Sequence, residues 1–312
     1  MSALLTFPGQ GAQRPGMLHS LLDHRAVHET LAQTSDALGH DVMALDTADS
    51  LQSTVSVQLC LLAAGVATAR ALMADGARPE AVAVAGLSIG AYAAAVVAGA
   101  LAYDDAVRLV ALRGRLMENA YPEGFGMAAI LGLEGPALEA IVTRVRATGL
   151  PVYIANFNAP TQLVIAGADV AMARVAALAQ EAGAHGARRV AIAVPSHCPL
   201  LDDAAASLAQ AFAPVTLRRP TLRLFSASAA RELRDPARIS ADLAANMALP
   251  VRWHETLLLA RACGVRLAVE MPPGNVLTRL AGTVLPEAVA CADTRVDSVK
   301  VLMARQGPEA SG

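Results

Sequence analysis

Charge is scarce in this chain of 312 residues: Asp, Glu, Lys and Arg make up 17%, and 25 basic against 27 acidic side chains leave a formal net charge of -2. No cationic field is available to hold a polyphosphate backbone, so nucleic acid is excluded as the expected partner. Internal repeats and low-complexity segments are missing too, apart from a polar tail over 305–312 that is expected to be flexible. Cysteine is thin, with Cys60, Cys198, Cys263 and Cys291 forming no C-x-x-C pair, and no charged leader precedes the first apolar run. These absences argue against a disulfide scaffold and a secreted chain, and a reduced, cytoplasmic protein is expected. What is abundant is apolar: 54% hydrophobic residues and a mean hydropathy of +0.43 exclude disorder. At about 150 residues per domain, the length suits two domains with cores of their own.

One stretch, 81–103, carries no charge and is long enough to cross a bilayer. It is built from Ala, Val and Gly, and Gly86-Leu87-Ser88-Ile89-Gly90 breaks it with turn residues, so no membrane segment is expected.

Short apolar runs alternate with helical patterns, the rhythm of βα units and a mostly parallel sheet. Leu4 to Phe7 reads as a strand ending in the Gly-rich loop Pro8-Gly9-Gln10-Gly11; 81–85 reads as a strand buried on both faces, and Arg266 to Glu270 as a later one. After Gly124 the rhythm changes. Met127 to Leu133, Val152 to Phe157, Gln162 to Ala166 and Arg189 to Val194 read as strands, with helices over Pro136 to Thr148 and Val170 to Ala182. The order β-α-β-β-α-β is ferredoxin-like and brings its own ends together, as an inserted subdomain requires. The expected fold is thus α/β, with a large domain over 1–123 and 196–304 and a small α+β insert over 124–195.

The strongest chemical signal is Gly86-Leu87-Ser88-Ile89-Gly90 between a buried strand and an Ala-rich helix over Ala91 to Gly99. A G-x-S-x-G turn in that setting is a nucleophile elbow, placing the Ser88 hydroxyl at a helix N-terminus whose N–H groups and dipole can stabilise an oxyanion. Among seven histidines, His197 in Pro195-Ser196-His197-Cys198-Pro199 lies where a strand ends and a helix begins, at the sheet edge that suits a general base. His24 and His28 share a helical spacing, but no third ligand is near, and no metal is expected.

Arg113 is singled out by helical geometry. On a helix from an Asp104 N-cap to about Asn119, Leu109, Val110, Leu112, Leu116 and Met117 cover one arc, and Arg113 falls inside it, while Arg108 and Arg115 point the other way. An inward guanidinium needs a partner: a structural ion pair, or a substrate carboxylate gripped in bidentate fashion. The Gly9-Gln10-Gly11 loop would lie at the same sheet edge, its N–H groups beside that of Ile89. It matches neither G-x-x-x-x-G-K-[ST] nor G-x-G-x-x-G, so no nucleotide site is inferred.

Taken in order, Phe7-Pro8-Gly9-Gln10-Gly11, the Ser88 elbow, Arg113, Asn156-Phe157-Asn158-Ala159-Pro160, Pro195-Ser196-His197, Pro250-Val251-Arg252-Trp253 and Pro272-Pro273-Gly274-Asn275-Val276-Leu277 resemble the malonyl-CoA:acyl-carrier-protein transacylase family. The resemblance implies an α/β-hydrolase-like core with a ferredoxin-like insert. It implies ping-pong transfer in which Ser88, deprotonated by His197, takes malonyl from malonyl-CoA and passes it to a thiol on a carrier protein's prosthetic arm, with no bound cofactor. It further implies that Gln10 and Ile89 supply oxyanion-hole N–H groups, that Arg113 holds the malonyl carboxylate, and that the backbone carbonyl of Arg252 orients His197. Leu87 and Ala91 stand where the family commonly has His and Glu. That variant elbow resembles the transacylase (epsilon) subunit of malonate decarboxylase, with the alternative a transacylase of fatty-acid or polyketide synthesis.

Two other readings are carried forward. An α/β serine hydrolase or thioesterase needs an acid behind its histidine, for which Asp169 is the candidate; in the transacylase reading Asp169 only caps a helix. A non-catalytic subunit that docks a carrier protein would keep the fold without needing Ser88, His197 and Arg113 together.

Overall fold

In the computed structural model, residues 2–74, 82–121 and 123–306 are described. Among them the strands are β1 (Ser2–Phe7), β2 (Val82–Gly86), β3 (Phe125–Leu131), β4 (Val152–Ala159), β5 (Gln162–Ala168), β6 (Gly186–Arg189), β7 (Arg223–Ser226), β8 (Arg231–Leu233), β9 (Val265–Glu270) and β10 (Glu287–Ala290). They form two sheets. The larger has the order β10-β9-β1-β2-β7-β8, parallel throughout except for the β7–β8 pair.

Both faces of this sheet are buried, which explains its unbroken apolar strands. The two-residue period sends Leu5 and Phe7 of β1 with Val84 of β2 into one core, which helices Thr54–Met73, Gly90–Val97 and Tyr103–Ala120 cover. Leu4, Ala83 and Ala85 point to the opposite core, with Phe225, Trp253 and Leu257. Helix Thr54–Met73 is the one described helix long and apolar enough to cross a membrane, and it is packed inside the fold. The charge-free stretch weighed above holds β2, the turn and the eight-residue helix Gly90–Val97; its first residue, 81, and most of the tail lie outside the described residues.

The smaller sheet has the order β4-β5-β3-β6, antiparallel throughout, with helices Gly135–Arg146 and Asp169–Glu181 on one face. This is the ferredoxin-like βαββαβ arrangement. Ala128, Ile130 and Ile165 face those helices, whereas Met127, Val164 and Ala166 face the other way, toward Cys198. Strand β4 is tied to the main body by an isolated bridge between Asn156 and Val251: Val251 N–H donates to Ala155 O and Phe157 N–H to Val251 O, each at 2.8 Å.

Three expected boundaries move. The last insert strand lies at Gly186–Arg189, not over Arg189 to Val194. As the edge strand it tolerates the polar pair Arg188 and Arg189, and the apolar run after it leaves the sheet to line the cleft described next. The N-cap of helix Tyr103–Ala120 is Ala102, with Asp104 and Asp105 in the first turn, where carboxylates still complement the helix dipole. Ala168, not Asp169, caps helix Asp169–Glu181.

Candidate active site

Strands β1 and β2 are adjacent and parallel, so the loops leaving them open at the same carboxyl edge. The chain continues from β1 to β2 on one side and returns with β9 on the other, which makes this the switch point where an α/β sheet leaves a crevice. A cleft of about 260 Å³ lies there. Gly9, Gln10, Leu87, Ser88, Ser196 and His197 line its sheet side, and Met127, Ala129, Val164, Val190 and Ile192 line the side facing the insert.

The elbow is tighter than its glycines alone suggest. Leu87 N–H donates to Phe7 O at 3.0 Å, carrying the β1–β2 ladder one step beyond the strands. Ser88 itself takes the left-handed conformation, with φ of 57°, which costs a non-glycine residue on the order of 1–3 kcal/mol and holds its hydroxyl out of the turn. The flanking glycines serve close approach. A Cβ on Gly86 would sit 2.0 Å from the carbonyl carbon of Gly90, and one on Gly90 would sit 2.1 Å from Phe7 O. Helix Gly90–Val97 can therefore start directly against the end of β1, with its N-terminus at Ser88.

His197 meets that hydroxyl. Its Nε2 lies 2.8 Å from Ser88 Oγ, and its Nδ1 lies 2.8 Å from Asn246 O and 3.1 Å from Leu249 O. Backbone carbonyls only accept, so Nδ1 carries the proton and Nε2 presents its lone pair to the Ser88 O–H. His197 is buried and itself has a positive φ, of 64°. Burial, and then the nearby Arg113 charge, push its pKa down to about 4, so the imidazole is neutral and ready to act as a base near pH 7.

Among the described residues, no acid stands behind the histidine. Asn246 is the C-cap of helix Pro236–Ala245, and its carbonyl is one of the acceptors a helix end leaves unsatisfied. The negative end of that helix dipole takes the place of a carboxylate in steadying an imidazolium. Asp169 is elsewhere: it pairs with Arg189 at the surface of the insert. The triad that a serine hydrolase of the usual type needs is not assembled here.

The expectation for Arg252 is corrected. Its carbonyl accepts from Thr256 N–H at 3.0 Å and Thr256 Oγ1 at 2.9 Å, as the first acceptor of helix Trp253–Ala262, and its N–H donates to Ala227 O. The carbonyls that reach His197 come from the loop before Pro250.

Arg113 points inward, as its place on the helical arc predicts, and is 0% exposed. Nη1 donates to Gln58 Oε1 at 2.7 Å; Nη2 donates to Ser88 Oγ at 3.2 Å and to Asn246 Oδ1 at 3.1 Å. Burial lowers its pKa to about 10, which still leaves it charged at neutral pH. Among the described residues, the N–H groups of Gln10 and Ile89 have no acceptor. Cys198, beside the base, donates to Pro195 O, and burial lifts its thiol to about 12, so it is no competing nucleophile. His24 caps helix Arg25–Leu38, and His28 pairs with Asp23.

Two polar residues of this cluster escape a reading of the sequence: Gln58 and Asn246. Gln58 had a usable signal, being a bulky polar side chain within the otherwise apolar helix Thr54–Met73. Asn246 had none: its carbonyl leaves no mark on side-chain identity, and its amide meets Arg113 and Ser88 across 133 and 158 positions of sequence, beyond the reach of any local pattern.

A serine on a strained strand-to-helix turn, a buried histidine held by carbonyls, and two idle amides at the same edge define an acyl-transfer site. The family described as "Acyl transferase domain" matches residues 5–302, and the chain belongs to that family. It is an acyltransferase. The chain is 41% identical over 283 residues to a malonyl CoA-acyl carrier protein transacylase of Haemophilus influenzae, covering 88% of this chain and 90% of that one. Its structure is similar to that of a malonyl CoA-acyl carrier protein transacylase from Coxiella burnetii, with a TM-score of 0.92, 35% identity and 98% of each chain covered. A malonyl-transacylase solved in complex with a type II polyketide synthase acyl-carrier protein aligns with a TM-score of 0.90 and 36% identity, over 97% of this chain and 99% of that one.

Proposed function

We propose that this protein transfers malonyl from malonyl-CoA to the thiol of an acyl carrier protein through a malonyl-Ser88 ester. The observation that carries this reading is the convergence of two groups on one oxygen: Ser88 Oγ lies 2.8 Å from the His197 base and 3.2 Å from the Arg113 guanidinium. Ser88 Oγ attacks the thioester carbonyl carbon while His197 Nε2 takes its proton. The oxyanion that forms is received by the N–H groups of Ile89 and Gln10, and the imidazolium by the carbonyls of Asn246 and Leu249. CoA leaves as the thiol with the proton from Nε2. In the second half-reaction His197 Nε2 deprotonates the carrier thiol, whose sulfur attacks the ester carbonyl carbon, and the proton passes from Nε2 to Ser88 Oγ as it leaves. Arg113 holds the distal carboxylate throughout, which keeps the scissile carbonyl within reach of Ser88. Residues 124–195 would act as an inserted subdomain that walls the cleft, beside a main domain over 1–123 and 196–304, and the protein would work in the cytoplasm.

For the acceptor, the transacylases named above favour a carrier protein of fatty-acid or polyketide synthesis. The malonate decarboxylase carrier subunit is the second reading, favoured by Leu87 and Ala91 in the elbow. Intact-mass measurement after brief exposure to malonyl-CoA tests the proposal, with Ser88→Ala as the blank. A malonyl adduct that persists in water and disappears on adding a carrier protein supports transfer, and comparing carrier proteins of the two kinds identifies the acceptor. Loss of the adduct in water alone would mean a hydrolase, and its absence from folded protein would mean a docking subunit.

A further inference from the structure

Arg113 has no exposed surface, and no carboxylate among the described residues is paired with it. A buried guanidinium without a counter-ion is costly, and folds usually supply it with Asp or Glu. Here two neutral amides do the holding, from opposite sides of the site: Gln58 Oε1 on helix Thr54–Met73 accepts from Nη1, and Asn246 Oδ1 accepts from Nη2. Both orient the guanidinium without cancelling its charge. Nε remains buried with no partner.

We propose that Gln58 and Asn246 are specificity-determining positioning residues: a charge-neutral clamp that keeps the Arg113 cation uncompensated, so that the site selects acyl groups bearing a free carboxylate over uncharged ones. The proposal rests on Arg113 as the carboxylate site of the reading above and adds what makes that site selective. The two residues divide the work. Asn246 Nδ2 also donates to Ser88 O at 3.3 Å, so its amide ties the clamp to the elbow. Among the described residues Gln58 makes no hydrogen bond to Ser88 or His197; its Nε2 donates to Met117 Sδ at 3.3 Å. Gln58→Glu is therefore the cleaner probe, since it preserves shape and brings a resident carboxylate to Arg113.

The experiment follows Ser88 acylation by malonyl-CoA and by acetyl-CoA in wild type, Gln58→Glu and Asn246→Asp, with thermal melts of each. Gln58→Glu is expected to lower the malonyl-to-acetyl ratio of kcat/KM by about 30-fold, the scale of one charge-assisted hydrogen bond, mainly through the KM for malonyl-CoA. Its Tm is expected to rise, because the buried cation gains a partner. A residue with a merely structural role would not move selectivity and stability in opposite directions. Asn246→Asp should lower the ratio in the same sense, with an added loss common to both acyl groups, because the bond to Ser88 O is gone. If Gln58→Glu fails to fold, the ratio in Asn246→Asp decides. A folded variant with the wild-type ratio, or with both substrates falling in step, overturns the clamp while leaving the transfer reading intact. A wild-type enzyme indifferent to the distal carboxylate overturns the Arg113 assignment, and the clamp with it.

Discussion

The two walls of the cleft are built differently. On the sheet side, Ser88 and His197 are placed by backbone: a positive φ at each, glycines with no room for a methyl, and helix ends facing both residues. On the insert side, apolar side chains (Met127, Ala129, Val164, Val190 and Ile192) and polar ones (Asn156, Asn158, Gln162 and Arg188) line the cleft, and none of these residues has a positive φ. Chemistry needs atoms held to tenths of an ångström, which a strained and close-packed backbone supplies; shape needs only side chains, which can change more freely. Substitutions on the sheet side should therefore abolish function, and those on the insert side should adjust it or do nothing.

The sharpest way to break this contrast is Gly90→Ala. Its methyl would overlap the Phe7 carbonyl, and a loss of more than about 4 kcal/mol in denaturant unfolding is expected, enough to leave little native protein. Native-like stability would show that the elbow is looser than its contacts indicate.

Next in size is the base. His197→Ala should slow Ser88 acylation about a thousandfold without loss of fold. In wild type, the pKa near 4 sets the acid limb: the base is active while neutral, so kcat/KM should stay level from neutral pH down to about 4 and fall below it. An acid limb near 6.5, the ordinary value for histidine, would mean that the cleft is wetter than its burial implies.

Arg113→Ala comes third. It should weaken malonyl transfer about 30-fold more than acetyl transfer, the worth of one charge-assisted bond, in side-by-side kcat/KM measurements. Equal losses would make the arginine a structural prop. The smallest effect belongs to the insert: Asp169→Asn breaks a half-exposed pair with Arg189 and should change both turnover and unfolding free energy negligibly, within about 0.5 kcal/mol. A large fall in turnover would revive a triad and undo the contrast between the walls.

Much of this was legible in the residues. The G-x-S-x-G turn between an apolar run and an Ala-rich helix marked Ser88, because few other uses combine those flanks. The position of Arg113 on the apolar arc predicted its burial, since 100° per residue leaves no other direction for its side chain. The βαββαβ rhythm located the insert, although its last strand was read too late because Val190 to Val194 is apolar for the cleft's sake. Arg252 was misplaced for a different reason. Any residue can lend a carbonyl, so the choice between the loop before Pro250 and the helix after it lies in the path of the chain.

Local composition and periodicity thus determined the order of elements, the Ser88 elbow, the strand-end setting of His197 and the inward arginine, because each depends on side-chain type within a few turns of chain. The tertiary structure alone decided that a helix C-cap replaces an acid behind His197, and that Gln58 and Asn246, 188 positions apart, close on one guanidinium. Those contacts join helix Thr54–Met73, helix Tyr103–Ala120 and the loop before Pro250. Only the packing of distant segments around a shared core sets the distances between them.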